Sequence, residues 1–501
     1  MSYAVFTDTS SNLPTALLDE KNVHVVPFSY YIDGEEQSCT DTAKFNGDEY
    51  YEKLRHGLHV TTSQVPPQRY MEHFEPVLAA GQDILMVSMS SGISGSCDSA
   101  RIAAEALKES YPLRKIEIID TLSASLGEYF GREAVSEKVS MVLGPGVNIK
   151  RSPLCGRNFE YYSEDPFLAG KMAAALIRGI QSQGVYACVK HYAANSQELR
   201  RMTVDSVLDE RTLREIYLPA FEIAVREGGV KALMTSYNRV NGVYASENEH
   251  LLRDILYNEW GFDGVVVSDW GANNDRTAAL KAGLTLEMPS CGGITDKQIA
   301  EAVREGRLDE KLLDEQVDRL LTMVFTTGEA LGRDVKYDRA QHHLFAQRAA
   351  EETAVLLKND GGILPVDDWN RTVALIGPFA EKPRYQGAGS SKIVPTLMDT
   401  ALQALPQCGM NIKGYAPGFE RNGRDDEKLL RAAVELAGSA DVALLYLGLS
   451  ETDEAEGVDR EGMRLPENQI KLLKAIYEVN KNIIVVLSCG CSVEMQWQRY
   501  A

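Results

Sequence analysis

The stretch Gly264-Val265-Val266-Val267-Ser268-Asp269-Trp270 joins a short apolar strand to a carboxylate and an indole. Three β-branched residues in a row are typical of a strand that is buried on both faces. In a chain of alternating strands and helices, polar side chains at the carboxyl ends of strands lie on the face where chemistry takes place. The stretch therefore predicts an α/β fold and makes Asp269 the candidate reacting group.

Similar strands alternate with predicted helices from about residue 128 to residue 328, and the helices include 210–226 and 247–259. Two of these strands run into Lys190-His191 and into Tyr237, as the first runs into Asp269-Trp270. Because the carboxyl ends of parallel strands meet on one face, this convergence is typical of a (β/α) barrel site. Each residue also has an ordinary structural explanation, since a strand-end Lys-His can be solvated and an Asp-Trp pair can cap and pack.

Composition narrows the class of protein. At 501 residues the chain exceeds the usual size of one domain. Its formal charge of −20 argues against a nucleic-acid partner, because neutralising phosphates needs a basic surface. The eight cysteines form no CxxC pair or His/Cys cluster, so we expect free thiols, a cytoplasmic location and no metal. We also expect no signal peptide and no membrane contact, because no apolar run reaches about 18 residues.

The first segment, residues 1–127, predicts an open α/β sheet. Strands are expected at residues 3–7, 23–32, 83–88 and 115–120, with helices at 66–78 and 96–111. In such a sheet, ligands bind at the carboxyl ends of the strands. Two polar loops fall there, namely Thr61-Thr62-Ser63-Gln64 and Ser90-Ser91-Gly92-Ile93-Ser94-Gly95.

This segment resembles the N-terminal half of the DegV family of fatty-acid-binding proteins. The resemblance is carried by Thr7-Asp8-Thr9-Ser10-Ser11-Asn12-Leu13-Pro14, Val25-Val26-Pro27, Thr62-Ser63-Gln64, Ser90-Ser91-Gly92-Ile93-Ser94-Gly95 and Ile119-Asp120. It implies that the hydroxyls of Thr62 and Ser91 hold a fatty-acid carboxylate, which makes a fatty acid an alternative partner. Ser and Thr are also ordinary loop and cap residues.

The second segment, residues 128–328, resembles glycoside hydrolase family 3 of the β-glucosidase type. The resemblance is carried by the run from Gly144 to Pro166, by Lys190-His191-Tyr192-Ala193-Ala194-Asn195, by Tyr237-Asn238-Arg239-Val240-Asn241-Gly242 and by Trp260-Gly261-Phe262-Asp263-Gly264 leading into Ser268-Asp269-Trp270. It implies a catalytic (β/α)8 TIM-type barrel in which Asp269 is the nucleophile and Trp270 stacks on the sugar. The residues implied to surround the bound glycosyl unit are Arg157, Lys190, His191 and Tyr237.

The third segment follows a predicted linker at residues 329–350 and spans residues 351–501 as an α/β sandwich. A helix is predicted at 347–358 and a buried strand at 373–378. The acidic run 450–461 follows a buried strand, and composition alone predicts a solvated loop. The family resemblance implies that Glu456 of Glu456-Gly457-Val458-Asp459-Arg460 is the general acid/base, with Glu451 and Glu454 as alternatives. We expect burial to raise the pKa of Glu456, and retention predicts carboxyl groups about 5–5.5 Å apart.

The resemblance also implies missing parts. Family members carry an Asp-Gly-Pro-His-Gly stretch on the first barrel strand, and no similar stretch occurs in this sequence. Thr285 occupies the position of an Asp in the family pattern Ala-Gly-x-Asp-x-x-Met-Pro. We therefore expect three α/β parts, namely a DegV-like open half-domain, an incomplete barrel and a partial sandwich domain.

The function predicted from sequence is retaining hydrolysis of terminal β-D-glucosides or oligosaccharides, with Asp269 and Glu456 as the catalytic pair. No cofactor is predicted, since the loop Gly387-Ala388-Gly389-Ser390-Ser391 lacks the Gly-Lys-Ser/Thr of a phosphate-binding loop. A β-xylosidase of the same family, a fatty-acid carrier and an inactive chimeric product are the alternatives.

Overall fold

A computed structural model describes residues 3–9, 15–32, 35–38, 53, 60–88, 95–120, 123–366, 368 and 370–501. No helix of the described residues is both long enough and apolar enough to cross a membrane.

The first part is a parallel sheet of order β2-β1-β6-β7, beside a small antiparallel sheet of order β4-β3-β5. Its elements are β1 (Tyr3–Asp8), α1 (Thr15–Lys21), β2 (Val23–Val26), β3 (Ser29–Ile32), β4 (Glu35–Gln37), β5 (Val60–Ser63), α2 (Pro67–Ala79), β6 (Asp83–Ser88), α3 (Ser96–Ser110) and β7 (Ile116–Asp120). The strand predicted at 23–32 is two strands, because Pro27 has no N–H for a sheet ladder. β2 pairs with β1 in parallel, whereas β3 pairs in the antiparallel sheet.

The helix α4 (Ser123–Ser136) follows β7 directly and packs along α5 (Pro166–Gln181) of the next part. Two glycines of α4 lie at the contact. A Cβ on Gly127 would lie 2.2 Å from the carbonyl oxygen of Leu176, and one on Gly131 would lie 2.6 Å from that of Ile180. The helix that joins the two parts is therefore packed as a member of the second part.

The second part contains a parallel sheet of order β14-β11-β9-β8. Its elements are β8 (Met141–Val142), α5, β9 (Tyr186–Tyr192), β10 (Asp205–Ser206), α6 (Glu210–Thr212), α7 (Pro219–Arg226), β11 (Ala232–Thr235), β12 (Arg239–Val240), β13 (Val243–Tyr244), β14 (Val265–Val267), α8 (Arg276–Ala282), α9 (Ile294–Arg304) and α10 (Glu310–Leu331). Beyond β14, Leu286 forms one further parallel bridge to Val267.

Two predicted helices of this part differ from the observed ones. The helix predicted at 210–226 is divided by a π-helix at Leu213–Tyr217, because Pro219 cannot donate a backbone hydrogen bond in a continuous α-helix. The helix predicted at 247–259 is a 3-10 turn at Ala245–Glu247 followed by a π-helix at His250–Glu259.

The two faces of the sheet β14-β11-β9-β8 pack against different helices. Val189, Leu233 and Val266 point to one face and pack with the helices α5 and α7 and with the π-helix at His250–Glu259. The other face, which would line a closed barrel, carries residues such as Cys188 and Met234. Helix α10 covers this face with Leu320 and Met323. The partial barrel predicted from sequence is thus an open sheet whose inner face is sealed by a helix.

The third part is a parallel sheet of order β16-β15-β17-β18 with helices on both faces. Its elements are α11 (Arg339–Thr353), β15 (Val373–Ile376), α12 (Ala401–Gln407), β16 (Ile412–Ala416), α13 (Glu427–Gly438), β17 (Val442–Gly448), α14 (Glu467–Val479) and β18 (Ile483–Ser488), with 3-10 turns at Pro378–Ala380 and Gln496–Tyr500. A further 3-10 turn, Asn158–Glu160, lies in the second part.

The segment 329–350, predicted as a linker, contains the end of α10 and most of α11. A helix was predicted only at 347–358. Its observed start is explained by Asp338, whose side chain accepts hydrogen bonds from the amides of Ala340 and Gln341. Phe345 of α11 stacks on Tyr129 of α4, with ring centroids 4.2 Å apart. The connection between the second and third parts is therefore helical and is packed against the joining helix.

The close contact of α4 with α5 makes Gly127→Ala a test of this joint. The new methyl group would overlap the Leu176 carbonyl, so we expect a loss of about 1–3 kcal/mol in the free energy of unfolding. Gly328→Ala in α10 is the control, because a Cβ there has no atom within 4 Å and alanine favours a helix by up to about 1 kcal/mol. Urea denaturation measures both. Equal or greater stability of the Gly127 variant would contradict the packing.

Candidate active site

The predicted site residues meet at the carboxyl ends of the strands in the second part. β9 ends in Lys190-His191-Tyr192, Tyr237 follows β11, and Asp269 follows β14. The parallel register pairs Cys188 with Ala232 and Ala232 with Val265, so the strand ends lie side by side. The sheet therefore gathers Lys190, Tyr237 and Asp269, which are 32 to 79 positions apart in sequence.

Asp269 is 7% exposed, and its two carboxylate oxygens differ. Oδ1 accepts a hydrogen bond of 2.7 Å from the amide of Trp270. Oδ2 lies 3.5 Å from Nε2 of His191 and makes no hydrogen bond within the described residues. Burial raises the pKa of Asp269, and the Trp270 amide and Arg157 oppose this rise. One oxygen is thus fixed by a backbone amide, and the other is a buried acceptor beside His191.

A buried carboxylate holds the two cations of the site. Glu160 accepts a hydrogen bond of 2.8 Å from Nε of Arg157, and its other oxygen lies 2.7 Å from Nζ of Lys190. All three side chains are at most 8% exposed. Burial opposes ionisation of Glu160, but Arg157 and Lys190 outweigh it and hold its pKa below the ordinary value. This pairing leaves Nη1 of Arg157 without a hydrogen bond within the described residues.

Glu160→Gln tests this arrangement, because it leaves two buried cations without their carboxylate. We expect a loss of about 3–5 kcal/mol in the free energy of unfolding. Because its pKa is lowered, wild-type Glu160 stabilises the fold fully at pH values above the ordinary pKa of glutamate. This stabilisation is lost as the pH falls through the lowered pKa. Urea midpoints from pH 7 to pH 3 should therefore converge for the two proteins at low pH.

The control is Glu210→Gln, which removes a carboxylate from an exposed pair with Arg214. Exposed ion pairs contribute about 0–1 kcal/mol, so we expect a small change. Equal losses in the two variants would contradict a special role for the buried carboxylate.

His191 is almost fully buried and is held by its backbone and its ring. Asn148 accepts from the amide of His191 at 2.7 Å and donates to its carbonyl at 2.9 Å. Nδ1 lies 3.2 Å from the hydroxyl of Tyr161. Burial and the neighbouring cations lower the pKa of His191 well below its ordinary value. His191 therefore faces Asp269 as a neutral imidazole.

Two aromatic residues complete this face. Tyr237 is buried, and the guanidinium carbon of Arg201 lies 4.5 Å from its ring centroid. Burial and the charge of Asp269 raise the pKa of Tyr237. Trp270 is 48% exposed, so its indole lies at the rim, whereas its amide binds Asp269.

Glu456 reaches this face from the third part. Oε1 lies 2.8 Å from Nη1 of Arg201 and 3.5 Å from Nη1 of Arg157, and Oε2 accepts 2.7 Å from the amide of Ser390. The expectation of a raised pKa is wrong. Burial favours the neutral acid, but Arg157, the Ser390 amide and Arg201 outweigh it and lower the pKa of Glu456 to about 2.

The other two acidic candidates, Glu451 and Glu454, form ion pairs with different arginines. Glu451 pairs with Arg421 at the surface of the third part. Glu454 is fully buried, pairs with Arg384 and accepts from the amide of Gly490. Of the three glutamates, only Glu456 pairs with Arg157 and Arg201.

Sequence reasoning missed several residues here, namely Glu160, Glu198, Arg201, Ser390 and Asp459. Arg201 and Ser390 lie in irregular segments, where periodicity carries no signal. The glycine-rich composition of the loop that contains Ser390 indicates at most a phosphate site. Its Gly389 is the residue that could have indicated a close contact, because its φ is +133° and a Cβ there would lie 2.4 Å from Cβ of Glu456.

The lipid-binding prediction, Thr62 with Ser91, falls largely outside the described residues. Thr62 lies in β5, and Ser91 lies outside the described residues. Within the described residues, no three His, Cys, Asp or Glu side chains form a group that could hold a metal ion.

Comparison with known families accounts for most of the chain. Residues 104–323 match the model of the glycosyl hydrolase family 3 N terminal domain, and residues 354–501 match that of the family 3 C-terminal domain. Residues 2–138 match the model of the DegV family, described as uncharacterised proteins. The first and last of these models overlap at 104–138, which contains the predicted join at residue 127.

Curated relatives include thermostable beta-glucosidase B of Acetivibrio thermocellus, 51% identical over 385 residues, which are 76% of this chain and 50% of the relative. An exo-alpha-(1->6)-L-arabinopyranosidase of Bifidobacterium longum is 46% identical over 387 residues, which are 75% of this chain and 51% of the relative. The chain thus spans about half the length of these relatives.

Solved structures give the same result. A GH3 beta-glucosidase of Bifidobacterium adolescentis has a TM-score of 0.73 and 47% identity, covering 76% of this chain and 56% of that one. Beta-glucosidase 3B of Thermotoga neapolitana in complex with glucose has a TM-score of 0.68 and 34% identity, covering 76% and 58%.

Proposed function

Because the chain belongs to glycosyl hydrolase family 3 over residues 104–501, we propose that it is a retaining glycoside hydrolase acting on terminal β-D-glucosides. The observation that carries this proposal is Asp269, a buried carboxylate at a strand end with one oxygen unbonded within the described residues. A glycosidic bond breaks through an oxocarbenium-like state, which a carboxylate beside C1 both stabilises and traps.

In the first step, Asp269 attacks C1 of the sugar and the C1–O bond breaks. The electron pair of that bond stays on the leaving oxygen, which takes a proton from Glu456. In the second step, water loses a proton to Glu456 and attacks C1, which releases Asp269. Two inversions give net retention of the anomeric configuration.

The other residues have binding roles in this proposal. Arg157 and Lys190, oriented by Glu160, would donate to sugar hydroxyls. Neutral His191 can donate one hydrogen bond without placing a second positive charge beside the oxocarbenium. Tyr237 would lie beside Asp269 under the ring, and the exposed indole of Trp270 offers a stacking surface for the sugar.

Trapping of the glycosyl-enzyme tests the proposal. The chain is incubated with 2,4-dinitrophenyl 2-deoxy-2-fluoro-β-D-glucoside, digested and analysed by mass spectrometry. We expect the label on the peptide that contains Asp269, together with hydrolysis of a chromogenic β-glucoside and first release of the β-anomer. Absence of both turnover and label would overturn the proposal.

A second candidate reaction is carried by the arabinopyranosidase relatives. L-arabinopyranose, like the xylose of the β-xylosidase alternative, lacks the C6 carbon of glucose. Comparison of kcat/KM for 4-nitrophenyl β-D-glucoside, β-D-xyloside and α-L-arabinopyranoside distinguishes the three. We expect the glucoside to be preferred, which is supported by the larger number of β-glucosidases among the relatives.

We also propose the divisions 1–127, 128–328, 329–350 and 351–501. Separate apolar cores in the first, second and third parts support them. A cytoplasmic location is supported by free thiols at every described cysteine. The glycosyl-enzyme test also bears on the fatty-acid carrier. Absence of turnover, together with a cooperative melting temperature that palmitate raises, would favour the carrier. No cooperative melt at all would favour an inactive chimeric product.

A further inference from the structure

Glu198 is a fully buried carboxylate that the proposed reaction does not use. Its side chain is 0% exposed and lies between the second part and the loop that carries Glu456. Oε2 accepts 2.9 Å from Nη1 of Arg201 and 2.7 Å from the amide of Gly457. A charge so deeply buried is costly unless it is paired and hydrogen-bonded, and these two donors satisfy only one of its oxygens.

The loop is fixed on both sides of Glu456. On the preceding side, Ala388 pairs with Ala455, and the amide of Glu456 donates 2.9 Å to the carbonyl of Ala388. On the following side, the amide of Gly457 donates to Glu198. Loops tend to be mobile because their backbone groups bond to water, so these bonds remove freedom from the residue that must meet the leaving oxygen.

Asp459 reinforces this attachment from the loop side. Its carboxylate accepts from the amides of Gly156 at 3.1 Å, Glu198 at 2.9 Å and Leu199 at 2.9 Å. The segment around Glu198 therefore exchanges hydrogen bonds with the loop in both directions. The carboxylates of Glu198 and Asp459 and the backbone amides that donate to them therefore form one hydrogen-bond network.

One nitrogen of Arg201 is shared by two carboxylates. Nη1 lies 2.9 Å from Oε2 of Glu198 and 2.8 Å from Oε1 of Glu456. The guanidinium also lies over the ring of Tyr237. Two acceptors on the same nitrogen mean that Arg201 keeps a paired charge even when one carboxylate becomes neutral.

We propose that Glu198 is the positioning residue of the acid/base, holding the Glu456 loop through the Gly457 amide and keeping Arg201 paired while Glu456 carries a proton. This inference rests on the proposed function. Without Glu198, protonation of Glu456 would leave a half-buried guanidinium without a counter-charge, which opposes the protonated state that the first step needs. Burial raises the pKa of Glu198 itself, so its charge depends on the two donors.

Leaving-group dependence tests this role in Glu198→Gln. Methyl β-D-glucoside needs a proton on its leaving oxygen, whereas 2,4-dinitrophenolate leaves without one. We expect kcat/KM for the methyl glucoside to fall about 100-fold, within the range for general acid catalysis, and that for the dinitrophenyl glucoside to stay within about threefold. Amide hydrogen exchange in the peptide around Gly457 should accelerate.

Glu461→Gln is the matched control, because it removes an exposed carboxylate from the same loop. We expect wild-type kinetics and exchange from it. Glu198→Asp keeps the charge but shortens the reach, so we expect an intermediate loss with the same difference between substrates. This variant serves if the Gln variant does not fold.

Equal losses on both substrates, or no loss on either, would overturn the positioning role in favour of a merely structural one. If the wild type neither turns over glucosides nor is labelled at Asp269, the proposed function fails instead. Hydrogen exchange then still decides whether Glu198 holds the loop, and unchanged exchange in both Glu198 variants would reject that as well.

Discussion

Asp269→Asn is expected to lower kcat on 2,4-dinitrophenyl β-D-glucoside by about 10⁴-fold or more, on the order of the loss when a nucleophile is removed from an acting unit. Asparagine keeps the shape and can accept the hydrogen bond from Trp270 at Oδ1. It has no negative charge to attack C1 or to stabilise an oxocarbenium. Steady-state kinetics and the fluoroglucoside label measure the loss.

The fold should survive this change. The pKa of Asp269 is raised by burial, so its ionised form costs folding stability above that pKa. At pH 7 the asparagine variant should therefore be at least as stable as the wild type in a thermal melt. Asp263→Asn, at an exposed pair with Lys231, is the control and should keep full activity. Turnover or labelling of the Asp269 variant would reject Asp269 as the nucleophile.

Glu456→Ala is expected to lower kcat/KM on methyl β-D-glucoside by about 10²–10⁴-fold, the range for loss of a general acid. The loss on the dinitrophenyl glucoside should be much smaller at the glycosylation step, since that leaving group needs no proton. Azide should restore the second step by attacking C1 from the space that the side chain vacates, giving β-glucosyl azide. Kinetics with and without azide, and product analysis, measure these effects.

Glu451→Ala is the matched control, because Glu451 lies five residues before Glu456 and pairs with Arg421. It should show neither the dependence on leaving group nor rescue by azide. If the Glu451 variant is rescued and the Glu456 variant is not, the assignment of the acid/base is wrong. Glu454 is a poorer control, because removing its buried charge would leave Arg384 unpaired.

The protonation state of Glu456 differs between the two steps of the proposed reaction. With a pKa lowered to about 2, Glu456 is ionised at neutral pH and is ready to act as the base of the second step. The first step needs the protonated acid. A sugar that draws Arg157 and Arg201 to its own hydroxyls would weaken their hold on Glu456 and raise its pKa. The acid limb of the kcat/KM profile reports this change.

Much of the fold follows from local pattern. The α/β class is confirmed, and so are membership of glycosyl hydrolase family 3 and the match of residues 2–138 to the DegV family model. The apolar runs at Val265–Val267 and Val373–Ile376 form strands as predicted. The errors lie at Pro27 and Pro219, where a missing N–H divides an element, and at Asp338, whose cap starts a helix earlier than its apolar pattern.

For the candidate site, too, local pattern predicted one part and failed for another. The roles of Asp269, Trp270, Arg157, Lys190, His191 and Tyr237 stay predictions. The structure gathers five of these residues because they end or follow parallel strands in register, whereas Arg157 is held by Glu160. The pKa of Glu456 was predicted in the wrong direction. Burial is visible in a sequence pattern, but the two arginines and the Ser390 amide come from other segments.

By itself, the sequence determined that strands end in a carboxylate, cations and aromatic rings, because strand periodicity and the residue after it are local properties. Only the tertiary structure decided which of three neighbouring glutamates pairs with Arg157 and Arg201, that Glu198 accepts hydrogen bonds from Arg201 and the Gly457 amide, and that α10 covers the open sheet. These contacts join segments up to about 260 residues apart. They depend on how whole elements pack, which no local pattern encodes.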